Sequence, residues 1–250
     1  WITTIPAGAA GAAGAADPAV TLRAVTALPV SSVYTRGFLA FVHDFNEASK
    51  KKIRIELVNE TVALDAIGDG RMDMGFGPVT AHRKWVPEAD AISASEIKAK
   101  ELRANGGMAL IDQIYRVRAK VRFLGMLNSG ARLHIYLKAA PRLAGNLPNL
   151  ADTKIAADEI YGGFLASLGA KPIPAGFPTA LAALKANKVQ GIIWPRVGLQ
   201  AAFRAKRLKY RIDPGFSQIV TGVVINLERW AHLPRKTRKL LDKTMLEHEQ

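Results

Sequence analysis

Phe38, Phe41, Val42 and Phe45 fall at i, i+3, i+4 and i+7, the apolar stripe of a helix that covers one surface. This spacing predicts a helix over residues 35–49, closed by Lys50-Lys51-Lys52, because cations suit a helix C-terminus. The period then changes from near four to two. Ile53-Arg54-Ile55-Glu56-Leu57-Val58 alternates as a half-buried strand does. Upstream, Val20 to Val25 is β-prone and runs into the turn formers Pro29-Val30-Ser31-Ser32. The order is β-α-β, the unit of a parallel sheet.

The same reading continues along the chain. Residues 62–68 predict a short helix ending at Gly68-Asp69-Gly70, and 72–77 a strand that enters a Gly/Pro loop. Residues 90–115 read as helical with a break at Gly106-Gly107. Strands are expected at 121–127 and 133–137, separated by a turn at Asn128-Ser129-Gly130. Residues 141–153 read as a loop. A second round follows: strand 154–157, helix 159–168, helix 179–186 and strand 189–193. The run Gln218 to Ile225 is the strongest strand pattern, and a basic amphipathic helix over 234–248 closes the chain.

One echo organises these elements. Ala63-Leu64-Asp65-Ala66-Ile67 through Met74-Gly75 resembles Ala180-Leu181-Ala182-Ala183-Leu184 through Gly191-Ile192, at a constant offset of 117 residues. Two copies do not make a solenoid, which repeats a shorter period three or more times. They fit two α/β lobes of similar construction. We expect lobe I to comprise residues 20–126 with 215–250 and lobe II residues 127–214. Residues 1–19 are expected to be a signal-peptide remnant or linker, because Pro6 to Ala16 is an uncharged small-residue tract of the Ala-x-Ala type that export signals carry at their cleavage sites.

Composition narrows the function classes. The chain has 250 residues, 49% hydrophobic and 22% charged, enough to divide between two cores. With no cysteine, thiol catalysis, zinc–thiolate sites and disulfide scaffolds are excluded. The formal charge of +14 raises a nucleic-acid reading. The densest basic runs, Arg204 to Arg211 and Arg235 to Lys239, hold one aromatic between them, Tyr210, not the interleaved series that stacking platforms need. No nucleic-acid partner is therefore expected. No phosphate-loop or nucleophile-elbow motif occurs, and the five histidines show no metal-ligand spacing. No metal, cofactor or catalytic set is expected; the alternative is a small α/β enzyme whose site has no sequence signature. Binding features are better represented. Ligands of open α/β sheets sit beyond the carboxyl ends of the strands. Leu28 to Tyr34, Phe76 to Thr80 and Trp194 to Arg196 occupy such positions. They offer Ser31, Ser32, Tyr34, Phe76, Val79 and Thr80 as candidate ligand contacts, and the turn at 128–130 adds Asn128.

The order of motifs resembles the extracytoplasmic substrate-binding subunits of tripartite ATP-independent periplasmic (TRAP) transporters, the DctP-type family. The segments that carry the resemblance run in order over about residues 20–248. They include Leu22 to Tyr34, Ala63 to Met74, Gly130-Ala131-Arg132, Leu168 to Pro174, Thr179 to Gly191, and Val223 to Asn226 with Trp230. The resemblance implies a two-lobed, periplasmic-binding-protein-like (type II) fold with a mixed sheet in each lobe and hinge strands between them. It also implies a periplasmic, monomeric protein that captures a small organic solute, a monocarboxylate or related organic acid, and delivers it to the family's ion-coupled membrane permease. Arg132 matches the family's arginine after the turn at Asn128, and a guanidinium grips a carboxylate with two parallel hydrogen bonds. The family's second arginine is replaced by Ala156, with Arg196 as a candidate substitute. Trp194 stands where the family is polar and is expected to wall the ligand, and Phe177 lies near a family aromatic. The chain also ends within a helix that the family pattern extends.

Overall fold

The computed structural model describes residues 20–50, 52–59, 64–199 and 207–249. The small-residue tract at 1–19 and the basic residues Arg204 and Lys206 lie outside the described residues.

Lobe I begins with β1 (Val20–Thr26), α1 (Arg36–Ala48) and β2 (Ile53–Leu57), then α2 (Leu64–Gly68) and β3 (Met74–Pro78). A 3-10 turn (Val79–His82) leads to α3 (Ala89–Ala94), α4 (Ala99–Ala104) and α5 (Gly107–Ala119). Two 17-residue strands, β4 (Val121–Leu137) and β10 (Tyr210–Asn226), pair antiparallel from end to end, with register shifts that interrupt the ladder. Lobe II holds the hairpin β5 (Arg142–Ala144) and β6 (Leu147–Asn149), β7 (Lys154–Ala157), α6 (Gly162–Ser167), β8 (Lys171–Pro174), α7 (Phe177–Lys185) and β9 (Gly191–Pro195). The chain closes on lobe I with α8 (Leu227–His232) and α9 (Arg235–His248).

The strand order β2-β1-β3-β10-β4-β9-β7-β8 is palindromic in construction. In each half three strands run parallel, and the innermost of them pairs antiparallel with a long strand: β3 with β10, and β9 with β4. The sequence echo is therefore a structural repeat. Met74–Pro78 and Gly191–Pro195 are β3 and β9, at the same 117-residue offset and in equivalent places. Each lobe has its mixed sheet, and β4 and β10 join the two into one.

Each half of the sheet is covered on both faces. In lobe I, the α1 stripe Phe38, Phe41, Val42 and Phe45 packs with Leu241 and Met245 of α9 on strand residues such as Leu22, Ile55 and Val223. Phe38 stacks on Phe76 with ring centroids 4.7 Å apart. The opposite face takes α2 to α5, with Tyr115 against Phe123. In lobe II, Leu165 of α6 joins Leu133, Ile135, Ile155 and Ile193 on one face. Ala180 and Leu184 of α7 join Tyr136, Ala156, Ile192 and Trp194 on the other. The alternation along β4 and β9 sets which residues face which layer.

Three local expectations are corrected. Asn128-Ser129-Gly130 is not a turn between two strands. Asn128 (φ 55°) and Gly130 (φ 87°) bend β4 without reversing it, because β10 continues beside it on both sides. The helical stretch at 90–115 is three helices, since Ser95 turns extended (ψ 136°) and ends α3. The 141–153 loop contains the β5–β6 hairpin. An additional helix, α8, starts where the Asn226 side chain accepts the Arg229 N–H at 2.7 Å, an N-cap of ordinary chemistry.

Candidate functional site

Where β4 passes from one lobe to the other, alternate residues point to one face. Arg132 and His134 therefore share a side. Register brings β9 beside them, with His134 opposite Trp194, and the Arg196 N–H donates to the Arg132 carbonyl at 3.3 Å. On the other flank β10 shifts register between Ile212 and Ser217. The intervening Asp213, Pro214 and Gly215 arch over a cavity of about 710 Å³ that Arg132, His134, Arg196 and Arg211 line. This is the size range of small-ligand sites. Gly215 permits the close pass: a Cβ there would lie 2.8 Å from the Arg132 Cβ and 3.0 Å from His134 Nε2.

The cavity is predominantly cationic, with two carboxylates already engaged. Arg132 pairs with Glu96, in the extended link between α3 and α4. Asp213 accepts from Arg211 at 2.7 Å and lies 2.9 Å from His134 Nδ1. The Arg211 hydrogen bond holds the Asp213 carboxyl below the usual carboxylate range, with His134 adding to the effect. The Ile212 carbonyl also lies 3.3 Å from His134 Nδ1. Two acceptors at Nδ1 assign the proton there and leave Nε2 toward Gly215. Arg196 is exposed and has no carboxylate partner among the described residues. Its guanidinium is available to an anion.

Of the residues singled out from sequence, Arg132 and Arg196 line this cavity, and the others whose side chains are described sit elsewhere. Trp194 is 7% exposed and packs in the α7 layer with Ala156, Tyr136 and Leu184. It is a core residue of lobe II and lies outside the lining. Ala156, where the resemblance expects an arginine, is fully buried in the same layer, so the tryptophan and the alanine share one apolar space. Phe76 and Val79 are buried in the two layers of lobe I. Thr80 is partly exposed, and its carbonyl accepts from Arg83 Nε at 3.2 Å. Ser31 is exposed, and Ser32 Oγ accepts the Tyr34 N–H at 3.3 Å, a local turn bond. Phe177 begins α7, and its side chain lies outside the described residues.

Tyr34 and Asn128 act at the junction of the lobes. Tyr34 Oη donates to the Val197 carbonyl at 2.7 Å, linking the β1–α1 loop to the end of β9. Burial pushes its phenol pKa up. Asn128 Nδ2 donates to the Tyr34 carbonyl at 2.6 Å and to Thr221 Oγ1 at 3.1 Å. Arg83 pairs with Asp158 across the same gap. His134, Arg211, Asp213 and Glu96 carry no local motif that marks them as cavity residues. The signal available was alternation: Arg132 with His134, and Arg211 with Asp213, are i, i+2 pairs on strands and so face one way.

No helix among the described residues is long and apolar enough to cross a membrane. No family model matches the sequence. Solved structures do. A TRAP periplasmic solute-binding protein from Escherichia fergusonii, in an apo open form, aligns with TM-score 0.76 at 13% identity, over 92% of this chain and 80% of that one. One from Desulfovibrio desulfuricans with bound sn-glycerol-3-phosphate aligns at 0.77 and 15%, over 92% and 76%. One from Ralstonia eutropha with bound (S)-2-acetolactate aligns at 0.76 and 17%, over 92% and 77%. The palindromic sheet, the paired long strands and these alignments agree: the chain has the two-lobed fold of the TRAP periplasmic solute-binding proteins.

Proposed function

We propose that this chain is a periplasmic solute-binding protein of a TRAP-type transporter. It captures a small organic acid, a monocarboxylate or close relative, and hands it to an ion-coupled membrane permease. The observation that carries the reading is the cavity at the β4–β10 crossing, where Arg132, Arg196 and Arg211 outnumber Glu96 and Asp213. A carboxylate is the group such a lining best satisfies, since a guanidinium fork matches it with two charge-assisted hydrogen bonds. The solved relatives with this fold add support: the two named above with ligands hold anionic solutes, a glycerol phosphate and an acetolactate.

The reading is of binding, not catalysis. His134 held by Asp213 resembles an oriented base. Among the described residues, however, the lining contains no hydroxyl, thiol or amine side chain for it to activate. A thermal-shift panel of C3 to C6 organic acids tests the proposal. A true ligand at about 100 times its dissociation constant adds roughly 2.7 kcal/mol of stability. A panel in which no acid shifts the midpoint, at concentrations up to the millimolar range, refutes it.

A further inference from the structure

The outer end of lobe II, away from the crossing, gathers cations along one edge. β4 ends there at Leu137, which pairs with both Tyr210 and Gly191, the first residues of β10 and β9. Lys138 and Lys209 flank that edge: the Lys138 N–H donates to the Gln190 carbonyl at 3.0 Å and the Lys209 N–H to the Leu137 carbonyl at 2.9 Å. β7 starts alongside, where the Gln190 N–H reaches the Lys154 carbonyl at 2.9 Å. The C-terminus of α7 joins them. Lys138 Nζ donates to the Leu184 carbonyl at 3.2 Å, and Arg207 Nη1 to the Lys185 carbonyl at 2.6 Å. Lys188 is exposed just beyond. Partial burial, and after it the Arg207 charge, hold the Lys138 ammonium below the ordinary lysine range. Among the described residues of this end the one carboxylate is Asp152, already paired with Lys171 at 2.7 Å. The other acids of lobe II, Asp158, Glu159 and Asp213, lie at the opposite, cleft-side end.

Four residues after Lys138 the chain enters the β5–β6 hairpin. Cross-strand partners share a face, so Leu143 lies with Pro148 and Ala144 with Leu147. Neighbours along a strand alternate, which puts Leu143 and Leu147 on opposite faces of the ribbon. They are 71% and 67% exposed. The ribbon thus exposes a leucine on each face, with Arg142 and Asn149 beside Leu147, and a two-stranded ribbon in isolation is marginal. Tyr210, 44% exposed, stands at the same edge of the sheet.

A hairpin with an exposed leucine on each face, a neighbouring tyrosine and a surrounding field of lysines fit one environment, the interface of an anionic bilayer. A nucleic acid would call for a series of stacking aromatics, whereas the hairpin flanks its Gly145-Asn146 turn with leucines. We propose that the outer end of lobe II is an adsorption surface for anionic phospholipid membranes. The Leu143–Leu147 hairpin enters the interface while the lysines and Arg207 lie over the headgroups. This surface is separate from the cavity and goes beyond the solute-binding reading.

Flotation of the full chain with vesicles of 30% phosphatidylglycerol in phosphatidylcholine, and with pure phosphatidylcholine, tests it. The expected result is partition to the anionic vesicles only, weakened at high salt. K185Q/K188Q should lower the partition coefficient about 25-fold, from roughly fivefold per basic residue. L143S/L147S should lower it at least tenfold, with an unchanged circular dichroism spectrum. Absence of flotation with anionic vesicles overturns the proposal, and an acidic protein surface then becomes the occupant to seek. Partition that both double variants leave unchanged also overturns it.

Discussion

Arg132 on β4 and Glu96 in the α3–α4 link form an ion pair that joins lobe II to lobe I at the cavity. The guanidinium proposed to receive the solute already carries a carboxylate from the other lobe. The Arg132 hydrogen bond in turn holds the Glu96 carboxyl below its usual range. A bound organic acid must compete with this internal partner. We predict that Glu96→Gln tightens binding of the acid about two- to fivefold, the scale of an exposed ion pair. Arg132→Ala should weaken it at least tenfold. Calorimetric titration of the three proteins reads both effects. If Glu96→Gln weakens binding, Glu96 is a ligand contact and not a competitor.

Gly215 is where β10 passes over the site. With a Cβ 2.8 Å from Arg132 and 3.0 Å from the Leu133 carbonyl, Gly215→Ala must push the arch outward. The expected cost is about 1–3 kcal/mol of stability, as for other overpacked positions, together with a clear loss of solute affinity. Urea midpoints and titration separate the two. Unchanged values for both would show that the arch is loose.

Asn128 holds the bend in β4 at φ 55° and satisfies the Tyr34 carbonyl and Thr221. Asn128→Ala removes both hydrogen bonds and places a less tolerant residue in the left-handed region. A loss of about 2–3 kcal/mol follows. Asn128→Gly restores the backbone freedom and should recover part of it. Denaturant unfolding gives the ranking parent, glycine, alanine.

His82 is buried beside Tyr115, with Nδ1 2.9 Å from its hydroxyl. Burial pushes its pKa down to about 4. Its unfolded value is near 6.5, so between about pH 6.5 and pH 4 the unfolded chain binds a proton that the folded chain refuses. The neutral, buried state is therefore fully favoured above that window, and its contribution, about 3 kcal/mol, is lost as pH falls through it. Stability measured from pH 7 to 4.5 should drop more steeply for the parent than for His82→Gln. Parallel curves would contradict the assignment.

Periodicity made the layers legible. The Phe38 to Phe45 stripe, the Ile53 alternation and the 63–75/180–192 echo correspond to α1, β2 and the β3/β9 repeat. Such patterns record burial, and burial is what the lobes are made of. The hinge was less legible. Asn128-Ser129-Gly130 carries turn chemistry, yet pairing with β10 turns it into a bend within one strand. The site was legible only in part. Arg132 and Arg196 reach the cavity, whereas Trp194, Phe76 and Val79 are drawn into the core. A large apolar residue beside a strand end can serve either environment, and only packing decides. Glu96, His134 and Asp213 meet through register and lobe contact, which no local motif encodes.

An arginine-lined cavity of this kind should select a carboxylate. Calorimetric titration of the parent protein with the acid that gives the largest thermal shift, and with its primary amide, tests this directly. Shape is nearly constant between the two, and only the charge is removed. We predict saturable one-to-one binding of the acid and at least 100-fold weaker binding of the amide, about 2.7 kcal/mol of discrimination. Equal affinity for acid and amide would contradict the account.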